Sequence, residues 1–291
     1  MDAAMTPVPV PVPAPEEVEL DLFLEALYRL YHYDFRSYSR VSLHRRADLA
    51  RERLDCATLS DLQRRLLREP DVLPAVIDAM TVQVSEVFRD PAYYLALRRE
   101  VIPHLSTFPS LKVWVAGCAD GEELYSLAIL FREEGLFDRT LFYATEINRR
   151  ALAKAEGGVY DMARMAHFSQ NYQQSGGRAS LSDYYTAAYG RAAFDRSLRR
   201  KTVFTEHNLA TDQVFSEVHL VSCRNVLIYF DATLQDRALG LFAGSLARGG
   251  FLGLGSHETL RFSAYSHLFS AFDESQRIWR RTARQEGDHA R

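Results

Sequence analysis

The stretch Val113-Trp-Val-Ala-Gly-Cys-Ala-Asp-Gly-Glu-Glu-Leu-Tyr-Ser126 constrains this chain more than any other. Four apolar residues, Val113 to Ala116, are followed by Gly117 and Gly121, and Glu122 to Arg132 has helical character. Together they spell a buried strand that passes through a small-residue turn into a helix whose N-terminus faces the turn. Such a corner is where a nucleotide-binding α/β sheet cradles its ligand. The Gly117-x-x-x-Gly121 spacing differs from the Gly-x-Gly-x-x-Gly of dinucleotide enzymes, and Asp120, Glu122 and Glu123 would repel a pyrophosphate. A ligand with hydroxyls and positive charge fits better. Taken alone, the turn is equally an ordinary strand-turn-helix corner. A second apolar strand, Thr140-Leu-Phe-Tyr-Ala-Thr-Glu146, ends in an acid at the place where this architecture holds a ribose by its hydroxyls.

A chain of 291 residues, 47% of them apolar, can bury a sizeable core and has room for a catalytic domain beside a smaller one. Its net charge of -3 gives no global case for nucleic acid or an anionic membrane. Cys56, Cys118 and Cys223 share no metal-ligand spacing and sit in or beside apolar runs, which points to reduced buried thiols, no metal and a cytoplasmic setting. No apolar run has the length of a membrane span, and the N-terminus has neither the basic nor the apolar region of a signal peptide, so export is not expected.

Pro7-Val-Pro-Val-Pro-Val-Pro-Ala-Pro15 removes backbone donors and favours an extended polyproline conformation, so residues 1–17 read as a tail or tether. Residues 18–80 read as a small all-helical domain. Leu20, Phe23, Leu24, Leu27 and Leu30 recur at helical spacing, and a second helix over Ser39 to Leu54 would bury Leu43, Ala47, Ala50 and Leu54. Two more are expected at Leu59 to Leu67, capped by Thr58 or Ser60, and at Asp71 to Met80. Around the second helix Arg36, Arg40, Arg45, Arg46, Arg51 and Arg53 have only Asp48 and Glu52 as local acids, and Arg46 and Arg53 lie two turns apart on one side. Such a face is as often merely solvated as it is a docking surface for an acidic helical partner. Nucleic acid is disfavoured, because no exposed aromatics interleave the arginines.

Thr81 to Asp90 links this domain to a larger one, 81–282, and places Ser85 and Arg89 near whatever the first turn binds. Tyr160 to about Leu198 breaks the alternation of strand and helix, shows no long apolar stripe, and reads as an inserted small subdomain over about 160–200. Strands resume at Thr202 to Thr205 and Val218 to Cys223. An apolar helix over Leu234 to Leu246 and late strands at Phe251 to Gly255 and between Phe269 and Trp279 complete the domain, and residues 283–291 read as a frayed tail.

Gly117-Cys-Ala-Asp-Gly-Glu-Glu-Leu-Tyr-Ser126, Ala144-Thr-Glu-Ile-Asn148, His207-Asn-Leu209 and above all Cys223-Arg-Asn-Val-Leu-Ile-Tyr-Phe230 resemble the chemotaxis receptor glutamate methyltransferases of the CheR type. The similarity runs from about residue 20 to 280. It implies an α/β fold with the Rossmann-like sheet of S-adenosylmethionine-dependent methyltransferases, a small N-terminal all-helical domain and an inserted subdomain. It implies S-adenosyl-L-methionine as methyl donor, S-adenosyl-L-homocysteine as product, and glutamates of a chemoreceptor's cytoplasmic helical bundle as acceptors. A monomer that binds no nucleic acid and does not insert into the membrane would suffice. Carried across motif by motif, Gln83, Ser85 and Arg89 stand at the Asn-x-Thr and Arg of the family's linker, and Gly117 belongs to the donor turn. Glu123 would hold the donor near its methionine end, Glu146 its ribose, and Asn208 with Leu209 its adenine. Asn225 and Val226 would contact the donor after the fourth strand, Arg89 and Tyr229 would act beside the transferred methyl, and Arg46 and Arg53 would meet the receptor.

The chain departs from the family pattern at Gln83 for asparagine, Ser85 for threonine, Val87 for phenylalanine, Glu146 and Asn148 for aspartates, and Asp120 for a small residue. The substituted linker motivates a second reading, a methyltransferase-fold scaffold or sensor with weak or no catalysis. Some family members dock a receptor's C-terminal peptide on the inserted subdomain, but neither Ser175-Gly-Gly-Arg178 nor Asp183-Tyr-Tyr-Thr-Ala-Ala-Tyr189 is a recognisable docking motif. Methyl transfer from a sulfonium is an in-line displacement, and a glutamate acceptor with a pKa of about 4.3 is already ionised at neutral pH, so no general base is required. The site must instead desolvate and aim the carboxylate, which an arginine and a tyrosine hydroxyl can do. Charge reversal at both Arg46 and Arg53 is expected to lower turnover on receptor while leaving donor binding intact. Unchanged methylation rates would reduce that surface to a solvated face.

Overall fold

Apolar residues at helical spacing build the first of two units, which runs to Arg36 and again over Arg40–Met80. The computed structural model describes residues 13–282. Helix α1 (Pro15–Tyr31) starts at a proline whose missing N–H is not needed in a first turn, so the helix begins inside the stretch read as a tail. Most of the proline repeat and all of 283–291 lie outside the described residues. Leu20, Phe23, Leu24 and Leu27 are buried, whereas Leu30, in the last turn before the left-handed cap His32 (φ 62°), is exposed. Helix α2 (Arg40–Arg53) buries Leu43, Ala47 and Ala50 and packs with α3 (Leu59–Arg68) and α4 (Leu73–Met80). A reciprocal capping box opens α3: Asp61 N–H donates to Thr58 Oγ1, and Thr58 N–H donates to Asp61 Oδ2, both at 3.1 Å.

The arginine face around α2 is less bare than the local sequence suggests. Arg40 pairs with Asp21 at 2.6 Å and with Glu17, while Arg36 pairs with Glu25 at 3.0 Å and Asp34 at 2.9 Å. Glu17, Asp21 and Glu25 all come from α1, so packing brings in acids that neighbouring sequence does not contain. Arg53 is exposed and Arg46 half-buried.

The second unit, Ser37–Ser39 with Thr81 onward, is built on a mixed sheet. A helical stretch precedes it: α5 (Pro91–Ala96), a π-type turn over Leu97–Val101, and α6 (Ile102–Leu105). Then follow β1 (Leu111–Ala116), α7 (Glu122–Glu133), β2 (Thr140–Glu146) and α8 (Arg149–Gly157). The inserted segment supplies β3 (Val159–Asp161), α9 (Met165–Gln174), β4 (Tyr185–Ala188) and β5 (Arg191–Phe194). The chain finishes with β6 (Thr202–Glu206), β7 (Val218–Cys223), α10 (Ala232–Ser245), β8 (Leu246–Leu254), β9 (Phe269–Asp273) and β10 (Ile278–Arg281). Among the described residues the main sheet has seven strands in the order β6-β2-β1-β7-β8-β10-β9, with β10 antiparallel to both neighbours and β6, β2, β1, β7 and β8 mutually parallel. This is the expected Rossmann-like α/β fold. Parallel strands covered on both faces explain the unbroken apolar runs: Val113, Val115 and Leu220 enter one core, Trp114, Ala116 and Val221 the other.

The inserted segment forms a three-stranded antiparallel sheet, β3-β5-β4, together with α9. Met165, Phe168 and Tyr172 form a buried stripe on α9 that composition conceals, because it is short and shares its face with buried Asn171. A charged network joins this segment to α7. Arg98, its side chain 6% exposed, donates to Glu134 at 2.9 Å, to Glu133 and to the Ser175 carbonyl at 3.1 Å, and Tyr184 donates to Glu133 at 2.9 Å. Removing one partner of a buried pair leaves uncompensated charge, so Arg98→Met should destabilise the fold by about 3–5 kcal/mol. Urea denaturation would show it as a lower midpoint at unchanged slope. A loss below about 1 kcal/mol would rank this pair with exposed ones.

Candidate functional site

The order of the parallel strands reverses between β1 and β7, with β2 and β6 on one side and β8 on the other. Ligands of open α/β sheets bind in the crevice outside the carboxyl ends at such a reversal. Gly117 (φ +71°) turns the chain there, and the N–H groups of Gly117 and Cys118 both donate to the Thr145 carbonyl at 2.9 Å. A Cβ on Gly117 would stand 2.7 Å from Val226 Cγ2, so the turns after β1 and β7 meet. At Gly121 (φ +97°) a Cβ would stand 2.8 Å from the Ala155 backbone on α8. Both positions therefore need glycine for space as well as for conformation.

Glu146 closes β2 as its sequence position predicts, but its carboxylate is turned onto backbone. Oε2 accepts the Ala119 N–H at 3.0 Å, and Oε1 accepts those of Ile147 at 3.0 Å and Asn148 at 3.1 Å. Three of its roughly four acceptor positions are thus taken by the ends of the two strand-following loops. Burial raises this carboxyl above the usual range, and the three N–H bonds oppose that shift. The two acids opening α7 part company. Glu122 is fully buried, with Oε1 against Arg164 at 2.8 Å and Oε2 without a hydrogen-bond partner. Glu123 is raised by burial and drawn down by the charges of Arg224 and Arg89 and the Ser222 hydroxyl, and its Oε1 is buried without a hydrogen-bond partner.

The linker is anchored by a hydrogen bond of 2.7 Å from the Phe88 N–H to Ser126 Oγ on α7. Phe88 (φ 54°) and Asp90 (φ 55°) flank Arg89 in the left-handed region, a strain of about 1–3 kcal/mol each that the surroundings must sustain. Arg224 supplies that support. Its side chain, 2% exposed, donates to the Arg89 carbonyl at 3.1 Å, pairs with Asp90 at 2.7 Å, and lies 4.2 Å over the Tyr93 ring. Burial pushes Tyr93 up to about 12, and its hydroxyl meets Ser222 Oγ at 3.1 Å. Asp90 is thus held by Arg224, and Glu86 by His167 at 3.0 Å, so neither neighbouring acid pairs with Arg89, whose guanidinium donates to the Val84 carbonyl at 3.3 Å. Ser85 is half-buried, and Gln83 Oε1 is buried without a hydrogen-bond partner.

After β7, Asn225 (φ 60°) begins a turn held by a residue without sequence signal. Glu258 Oε2 accepts the N–H groups of Asn225 at 3.0 Å and Gly255 at 2.6 Å, and Oε1 accepts those of Val226 at 2.9 Å and Leu227 at 2.7 Å. Neither Glu258 nor Arg224 stands out by spacing; both gain their role only when strand ends converge. Asn225 Oδ1 is buried without a hydrogen-bond partner. Tyr229 accepts the Ser39 N–H on its carbonyl at 2.8 Å, while its hydroxyl bonds to no described residue. After β6, Asn208 Oδ1 accepts the Ala210 N–H at 2.9 Å, its own N–H donates to Asp212 at 2.9 Å, and Leu209 is buried beside this turn. Arg46 and Arg53 belong to the first unit.

Buried acceptor oxygens without a hydrogen-bond partner therefore include those of Gln83, Glu122 (Oε2), Glu123 and Asn225. Each such group costs roughly 1–3 kcal/mol if left unmet, and such acceptors suit a ligand carrying N–H or O–H donors and positive charge. The methionine amino group, ribose hydroxyls and sulfonium of S-adenosylmethionine meet that description. Among the described residues no cluster of His, Cys, Asp and Glu could hold a metal, and no helix is long and apolar enough to cross a membrane.

The chain matches the family model for the CheR methyltransferase SAM binding domain over residues 83–276 and that for the CheR methyltransferase all-alpha domain over 18–81. It is 54% identical to Cher3 of Pseudomonas putida, over 90% of this chain and 96% of that one. It is 31% identical to a chemotaxis protein methyltransferase of Listeria monocytogenes, over 70% of this chain and 75% of that one. With chemotaxis protein methyltransferase 1 of Pseudomonas aeruginosa the identity is 32%, over 68% and 72%.

Glu258→Gln replaces one acceptor oxygen by an amide nitrogen facing backbone donors. Unsatisfied buried N–H groups should then lower stability by about 1–3 kcal/mol in chemical denaturation and raise hydrogen exchange at Asn225 to Leu227. Unaltered exchange there would show that the turn holds without the carboxylate.

Proposed function

The chain belongs to the CheR methyltransferase family, and we propose that it esterifies glutamate side chains of a chemoreceptor's cytoplasmic helical bundle with the methyl group of S-adenosyl-L-methionine. The observation that carries this reading is the set of buried, unmatched acceptor oxygens on Gln83, Glu122, Glu123 and Asn225, in a segment whose sequence matches a SAM binding domain. S-adenosyl-L-methionine supplies a methyl group already activated on a sulfonium. The chain's part is to bind, orient and exclude water.

Glu123 Oε1 would accept from the methionine amino group, with Gln83 and Asn225 as further acceptors and the Ser85 hydroxyl beside them. Glu146 keeps about one acceptor position for a ribose hydroxyl, the others being committed to backbone. Gly117 leaves room for close backbone approach, Val226 walls the crevice, and Asn208 and Leu209 would flank the adenine. Arg89 and Tyr229 would aim the acceptor carboxylate. The one hydrogen bond from Arg89 to the Val84 carbonyl leaves it further N–H donors for this task. A looser hold also suits the chemistry, because the ester product is neutral and tight binding of the charged ground state slows transfer.

Calorimetry with S-adenosylmethionine and S-adenosylhomocysteine, followed by methyl transfer to a receptor cytoplasmic fragment, tests the proposal. A charged Glu123 favours the ligand's ammonium, and burial raises its carboxyl. Affinity should therefore begin to fall on acidification above the ordinary glutamate value of about 4.3. Glu123→Gln should weaken binding roughly tenfold or more at pH 7, the loss of one charge-assisted hydrogen bond, and remove that pH dependence. Binding without transfer, or without alkali-labile methyl ester, would make the chain a donor-binding scaffold. Absence of binding would end the proposal.

A further inference from the structure

A segment whose composition marks it only as an insertion reaches into the frame of the crevice at several points. The Tyr160 hydroxyl donates to the Asp120 carbonyl at 2.8 Å, inside the turn after β1. Asn171 Nδ2 donates to the Val87 carbonyl at 3.3 Å. Between them, Arg164 makes two bonds with one guanidinium: Nη1 to Glu122 Oε1 at 2.8 Å, and Nη2 to the Ser85 carbonyl. Glu122 is the first residue of α7, and Ser85 lies mid-linker, so a single planar group ties the donor turn to the linker. A lysine, a point charge on a flexible stem, does not hold two such partners in fixed geometry. The guanidinium is itself held in place, 4.7 Å over the Phe168 ring, and the short turn Met162–Arg164 is capped by Asp161 accepting the Ala163 N–H at 2.9 Å.

We propose that Arg164 is a positioning residue of the donor site, setting the linker of Gln83, Ser85 and Arg89 against the turn that carries Glu123, so that the inserted segment forms part of the site's frame. The identity of the ligand rests on the function proposed above; the positioning role does not. The competing explanation is that buried Glu122 simply needs a counter-charge. The two are separable. The pair Glu122→Gln with Arg164→Met buries no charge yet still lacks the bond to the Ser85 carbonyl.

Hydrogen exchange of the ligand-free protein and calorimetry with S-adenosylhomocysteine would be run on wild type, Arg164→Met, Arg164→Lys and the double variant. In Arg164→Met and the double variant, amides of residues 83–90 should exchange about tenfold faster, while β1 and β7 keep their protection. The Kd for S-adenosylhomocysteine and the KM for the donor should rise about tenfold, the loss of one charge-assisted bond, with the receptor KM unchanged. Arg164→Lys should recover thermal stability but not affinity. Wild-type linker exchange and wild-type affinity in the double variant would overturn the proposal and leave Arg164 as a counter-ion. A wild-type chain that binds no S-adenosylhomocysteine would count against the function proposed above, and the exchange of residues 83–90 would still decide the role of Arg164.

Discussion

A carboxylate taken out of water must find donors, and the carboxyl edge of this sheet gathers four. Glu122, Glu123, Glu146 and Glu258 are all raised by burial. Glu146 is met by three backbone N–H groups and Glu258 by four, which welds the loops after β1, β2 and β7 into fixed turns. Glu122 is met by Arg164 on Oε1 alone. Glu123 has charge nearby, in Arg224 and Arg89, but an oxygen without a hydrogen bond. Glu146 and Glu258 are thus spent on backbone, while Glu122 and Glu123 each keep an oxygen without a hydrogen bond.

The same logic explains why the linker is strained and yet ordered. Two non-glycine residues with positive φ around Arg89 persist because Arg224, buried and stacked on Tyr93, holds the Arg89 carbonyl and Asp90, while Ser126 holds Phe88. Arg164 and Asn171 of the inserted segment add bonds to the Ser85 and Val87 carbonyls. Preorganisation of this kind suits a reaction that needs alignment more than acid-base chemistry.

Much of this was legible in the residues themselves. The run from Val113 to Ser126 had to be strand, turn and helix, because the apolar run, the glycines and the helix-forming residues each allow little else. The acid at Glu146 had to fall at a strand end. The α9 stripe was hidden by its shortness and by Asn171, which is buried because its amide reaches the Val87 carbonyl. The arginines near α2 looked unopposed because their acids, Glu17, Asp21 and Glu25, are distant in sequence and come close only when α1 packs alongside.

The sequence by itself determined the Rossmann-like sheet, its small helical companion and the kind of residue at each strand end, since periodicity, glycine placement and the motif Cys223 to Phe230 are local properties of the chain. Only the tertiary structure decided which carboxylates are spent on backbone and which keep an unmatched oxygen. It also decided that Arg224 and Glu258 support the turns and that Arg164 bonds both Glu122 and the Ser85 carbonyl. Those facts depend on which groups meet after burial, and a linear pattern records which donors and acceptors exist, not which of them remain unpaired once water is gone.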